Sequence, residues 1–177
     1  MTTNWTLVPI PEQDRTDVEA LVIARQLERQ EAAFPTNDEI RDPGMLVDVV
    51  RRNSFARQTP WPVAALERLA NAESITEQRW AIVLDYCASR PNELFSTEQI
   101  AEATGMSVED WRSACRNLKK YLKRDYAGYA PAWGHGDWEG QTMWPAATAS
   151  GRQLRDKNQL FVGLSAEQAS RWLQVRR

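Results

Sequence analysis

Histidine and cysteine are nearly absent from this chain, and lysine is scarce. One histidine, His135, two cysteines, Cys87 and Cys115, and four lysines stand among 177 residues. That supply excludes most ways of building a chemical site. A nucleophile needs a base and an orienting group beside it, and a single histidine between Gly134 and Gly136 offers no triad. Cys/His clusters with metal-ligand spacing are missing, as is the glycine-rich loop ending in Lys-Ser/Thr that cradles nucleotide phosphates. The chain therefore reads as a non-enzyme with no metal and no cofactor. Both cysteines fall on apolar faces of predicted helices, the usage of reduced, buried thiols in a cytoplasmic protein. No apolar run approaches the roughly 20 residues of a membrane helix. Met1 to Pro9 has neither the basic nor the apolar segment of a secretory signal, so no membrane partner is expected.

What is present is an ordinary globular composition with an uneven charge. Hydrophobic residues make up 42% and charged residues 26%, enough for a sizeable core. The net charge of −2 hides an asymmetry. Residues 1–77 carry 13 acids against 8 arginines, whereas residues 78–177 carry 11 acids against 14 basic residues. Ser107 to Arg124 alone holds six basic residues against Glu109 and Asp110. A basic element attached to an acidic half fits a nucleic-acid contact joined to a part for assembly or regulation.

Periodicity and turn chemistry divide the chain. Trp5 to Ile10 reads as an edge strand or an extended lead-in, limited by Pro9. Glu12 to Ala33 reads as a helix, and Phe34 to Asp42 as a loop. Met45 to Asn53 and Val63 to Ala72 are predicted helices, separated by the break at Thr59-Pro-Trp-Pro62. Ser74 and Glu77 form a capping-box pattern ahead of a helix over 75–89 that buries Trp80, Val83, Leu84 and Cys87. Leu94 and Phe95 suggest a brief strand. Ser96 or Thr97 caps the next helix, and Gly105 supplies the left-handed residue that closes it. Ser107 opens a long helix whose inner stripe is Trp111, Cys115, Leu118 and Leu122, with Ala114 and Tyr121 beside it. The glycine- and aromatic-rich stretch Tyr126 to Pro145 reads as a β-hairpin. Ala146 to Lys157 is open between loop and short helix. Leu160 to Gly163 is a strand candidate, and Ser165 with Gln168 is a weaker capping box before a final helix through Trp172.

The order helix, short strand, helix, glycine turn, basic helix, aromatic hairpin resembles the winged helix-turn-helix regulators. The residues that carry the likeness are Phe95-Ser-Thr-Glu-Gln-Ile-Ala-Glu-Ala-Thr-Gly-Met-Ser107, with Ala101 and Gly105 at the family's small-residue and turn positions. The resemblance spans Ser74 to Pro145 and is to uncharacterised bacterial proteins with an added N-terminal helical segment. It implies a mainly α protein with a small β-hairpin wing, in the α+β class. Residues 1–73 would be a helical extension for dimerisation or regulation, and 74–177 the winged domain with a C-terminal strand and helix. The implied function is double-stranded DNA binding by a transcriptional regulator, as a homodimer, through a helix-turn-helix at 97–124 and a wing at 126–145. Arg112 and Arg116 are candidate base readers, and Lys119, Lys120, Lys123 and Arg124 candidate backbone contacts. The alternative is a winged-helix protein-interaction module without DNA affinity.

Overall fold

The computed structural model describes residues 43–134, 138–154 and 156–177, together with the isolated positions Asp14, Asp17, Val18 and Leu21. The strand, helix and loop expected over residues 5–42 and the loop position of His135 lie outside the described residues. Among the described residues the chain forms six helices and one small antiparallel sheet, an α+β arrangement. No helix among them is long and apolar enough to cross a membrane.

The order is α1 (Pro43–Ala56), α2 (Val63–Ala70), α3 (Ile75–Ala88), β1 (Phe95–Ser96), α4 (Thr97–Thr104), α5 (Val108–Asp125), β2 (Ala147–Ser150), β3 (Leu160–Gly163) and α6 (Ala166–Val175). Backbone contacts divide the chain into Met1–Val49 and Val50–Arg177. The division anticipated between residues 73 and 74 falls inside the second unit, because α2 packs on both α3 and α6.

Local sequence explains where the helices start and stop. Pro62, whose missing N–H costs nothing at a helix start, opens α2, and Ala65, Leu66 and Leu69 form its buried side. Ser74 accepts from the Glu77 N–H to cap α3. The Glu77 carboxylate takes the Ser74 hydroxyl on one oxygen and the buried Tyr126 phenol, at 2.6 Å, on the other. The fully reciprocal capping box is at Ser96: Gln99 N–H donates to the Ser96 hydroxyl at 3.1 Å, and Ser96 N–H donates to the Gln99 side chain at 2.8 Å. Gly105 ends α4 at φ 69°, a left-handed conformation that favours glycine. Ser107 then caps α5 by accepting from Asp110 N–H at 3.0 Å.

At Ser165 only half of the expected box forms. Its hydroxyl accepts from Gln168 N–H, but the Gln168 side chain turns into the core. There its oxygen accepts from Trp61 N–H at 2.7 Å and its amide donates to the Pro145 carbonyl at 3.0 Å. A buried glutamine is tolerated because both ends are satisfied, and it ties α6 to two chain segments far away in sequence.

The sheet has the order β1-β3-β2, both pairs antiparallel. Phe95 lies opposite Val162, and Ala147 to Ser150 run against Gly163 to Leu160. The hairpin is thus formed by residues 147–163, not by the aromatic stretch 126–145 that composition favoured. Among the described residues of that stretch only the isolated bridges Ala132 to Thr142 and Trp133 to Glu139 occur. Two of its aromatics serve the core: Tyr126 packs on Trp61 at 5.2 Å, and Trp144 meets Trp80 edge-on at 5.2 Å.

The core itself is built on fully buried tryptophans. Trp61, Trp80, Trp111 and Trp172 all lie within it, with Trp80 and Trp111 stacked at a tilt 4.7 Å apart. Leu66, Leu84, Ile100, Leu118 and Leu164 fill the space between them. This packing fixes α5 against α3 and leaves the opposite face of α5 open.

Candidate nucleic-acid interface

Helix α5 is amphipathic over its whole length. Trp111, Ala114, Leu118 and Leu122 are buried at i, i+3, i+7 and i+11, which anchors one side. Cys115, expected in the core, is only half-buried at the edge of that stripe, and burial still pushes its thiol up to about 12. Arg112, Arg116, Lys119 and Lys123 recur at i, i+4, i+7 and i+11 as well, so they share a second face. All four are exposed. The sequence-predicted cations are therefore brought together, with two exceptions. Lys120 is exposed but set round the helix from this stripe, as three- and four-residue spacing requires. Arg124 is bound by Asp125 through three hydrogen bonds and lies over the Tyr121 ring at 5.0 Å. That pairing holds the Asp125 carboxyl below its ordinary range.

The two acids at the start of α5 have separate fates. Asp110 receives the Ser107 hydroxyl at 2.8 Å and the Arg79 guanidinium of α3. The Ser107 hydrogen bond, with the Arg79 charge, holds its carboxyl below the usual range. Asp110 is thus a capping and docking residue between α5 and α3. Glu109 is different: it pairs with Arg116, one of the stripe cations, at an exposed position. Arg112, Lys120 and Lys123 have no ion-pair partner among the described residues.

Beside the stripe runs a groove of about 590 Å³. Arg112, Cys115 and Arg116 form its α5 wall, and Thr148, Ser150 and Gln159 belong to the opposite wall on the hairpin. The hairpin tip, residues 151–159, was not anticipated as part of the site. It carries Arg152 and Lys157, with Lys157 reaching Glu98 of α4 at 3.2 Å. Gly151 makes the tip possible: a β-carbon there would collide with the Lys157 carbonyl oxygen. The turn-forming run Asp156-Lys-Asn158, ahead of a strand, was the available signal. Trp138, outside the row of cations, has its ring 5.4 Å from the Lys119 ammonium.

Comparisons with family models, curated proteins and solved structures find no match to this chain. The functional reading rests on geometry alone. That geometry offers a row of cations on a rigid helix, flanked by a second basic projection. Such a surface suits a polyanion whose charges are regularly spaced.

Proposed function

We propose that this protein binds double-stranded DNA as a transcriptional regulator, using a winged helix-turn-helix. In this reading α4 and α5 are the helix-turn-helix, α5 is the recognition helix, and the β2–β3 hairpin is the wing. The element order α3-β1-α4-α5-β2-β3, with β3 between β1 and β2, supports the fold assignment. The observation that carries the function is the exposed stripe Arg112, Arg116, Lys119 and Lys123, along the flank of α5 that borders the groove.

Arg112 and Arg116 lie in the first half of α5, where a recognition helix approaches base edges, and an arginine fork can pair with guanine O6 and N7. Lys119, Lys123 and Lys120, the last standing farthest round α5 from the buried stripe, act as point charges toward phosphates, as does Lys157 from the hairpin tip. Association as a homodimer on paired half-sites would multiply the modest contact of one module.

A competing reading, an interaction module for another protein, is favoured by one feature: Arg116 and Arg124 are already paired with Glu109 and Asp125. Selection of bound fragments from random duplexes at low salt separates the two. Enrichment of a common sequence, present as a direct or inverted repeat, supports regulation as a dimer. Recovery without any enriched sequence would leave only backbone binding. If no duplex is retained at all, the DNA reading is wrong and the interaction reading takes its place.

A further inference from the structure

The stretch between α5 and β2 places two tryptophans beside the basic stripe. Trp133 and Trp138 lie 6.1 Å apart at 57°. They are held by a tight set of backbone hydrogen bonds: Trp133 N–H to the Gln141 carbonyl at 2.7 Å, Gly140 N–H to the Trp133 carbonyl at 2.9 Å, and Gln141 N–H to the Trp138 carbonyl at 2.9 Å. Gly140, at φ 70°, closes the turn. Trp138 is therefore fixed in place, yet 49% of it remains exposed. A tryptophan buries more apolar surface than any other side chain when it packs fully. Four other indoles do so, those of Trp61, Trp80, Trp111 and Trp172. Trp138 forgoes that burial and instead sits under the ammonium of Lys119, a member of the stripe.

A half-exposed indole whose only covering cation among the described residues is a flexible lysine of the row has the chemistry of a stacking platform on a phosphate track. A base can stack on the ring while the Lys119 ammonium turns to the phosphate of the same strand. Bases inside a regular duplex present edges and not faces, so away from the duplex ends only an unpaired base can use the platform. We propose that Trp138 and Lys119 form a stacking site for an unpaired base of DNA lying along α5. The protein would then prefer a duplex interrupted by a bulge or a melted step over an uninterrupted one. This inference rests on the DNA reading above and assigns to that interface a substrate feature that α5 alone does not supply.

The test uses the full chain and three labelled probes in fluorescence anisotropy: a blunt duplex, the same duplex with one unpaired thymine, and the single strand. The expected result is tighter binding of the bulged than of the blunt duplex. Trp138→Ala should lose about 5- to 150-fold on the bulged duplex while changing blunt-duplex binding less than about twofold. Trp138→Phe, which keeps a ring face, should retain most of the preference. Because the residue is half exposed, an unchanged thermal transition is expected to show that both variants fold. Equal binding of bulged and blunt duplex by the unaltered protein would overturn the inference and leave the DNA reading standing. So would a Trp138→Ala loss that is the same on both. If the blunt duplex is not bound, the double-strand reading fails separately. Single-strand binding that depends on Trp138 would then support the stacking site, and no binding to any probe would overturn both.

Discussion

Removing two of the four stripe cations should change how steeply DNA affinity falls with salt. Each phosphate neutralised by a lysine or arginine contributes about 0.9 to the slope of log K against log salt on duplex DNA. Lys119, Lys120, Lys123 and Lys157, the phosphate contacts of the proposed interface, together set a slope of about −3.6 by that rule. Raising the salt from about 50 to about 200 mM should then weaken binding about 150-fold. In the Lys119→Ala/Lys123→Ala protein the slope should drop to about −1.8, and the same salt step should cost only about 12-fold. Both side chains are exposed on a helix that buries a different face, so neither is needed for folding. Alanine at such sites usually moves stability by no more than about 0.5 kcal/mol. Heparin-column retention gives a quick view, and anisotropy titration of a duplex across a salt series gives the slope. If the doubly substituted protein stays folded and binds with an unchanged slope, the stripe does not touch phosphate and the interface has been misassigned. Lys157→Ala in the same assay reports on the hairpin tip, with an expected further reduction of about 0.9.

Other substitutions probe neighbouring parts of the argument. Glu109→Gln frees Arg116 and removes a negative charge from the approach to DNA, so duplex affinity should rise by about two- to fivefold, the scale of one exposed pair; weaker binding would mean that the pair orients Arg116. Leu118→Ala empties a fully buried position between α5 and α3 and should cost about 2–5 kcal/mol in urea denaturation. Gly151→Ala should disorder the hairpin tip through the clash with the Lys157 carbonyl, seen as lost amide protection at Gly151 and Gln159, while the helical circular dichroism signal persists.

Asp110 makes a prediction about acid. Its carboxyl is held below the ordinary 3.8 in the folded chain, so the unfolded chain takes up the proton first as pH falls. The stabilisation is fully present above about pH 4 and is lost on acidification through the lower, folded value. Asp110→Asn should flatten the acid limb of the stability curve below that pH and leave the alkaline limb unchanged, measured as thermal midpoint against pH.

Much of the fold was legible because the signals were local. Serine caps at Ser74, Ser96 and Ser107, the break at Pro62 and the turn at Gly105 act through neighbouring backbone groups, and the helices begin and end beside them. The buried stripe of α5 followed from spacing, apart from the exchange of Ala114 for Cys115 as the deeper residue. The cations of the candidate site were legible for the same reason. The sheet was harder to read. Ala-Thr-Ala-Ser at 147–150 lacks the branched and aromatic residues that mark strands, and it becomes one because its backbone pairs with β3 at four registered positions. Small alanines serve there, since Ala147 and Ala149 are buried.

The aromatic stretch 126–145 gave the opposite error, and its cause separates the two kinds of information. Glycines and tryptophans in sequence say that a segment can turn and can bury large surfaces, but not which surfaces it meets. Trp61 N–H, the Pro145 carbonyl and Gln168 are joined across 107 and 23 positions of the chain, and no local pattern encodes such a pairing. By itself, then, the sequence determined helix ends and the amphipathic basic helix, both of which depend on residues within a few positions of one another. Only the tertiary structure decided which segment pairs as the hairpin, that Arg152 and Lys157 stand on its tip near the basic helix, and that Asp110 is claimed by Arg79 while Glu109 claims Arg116. Those outcomes depend on packing between segments distant in the chain or on which nearby partner a side chain finally meets.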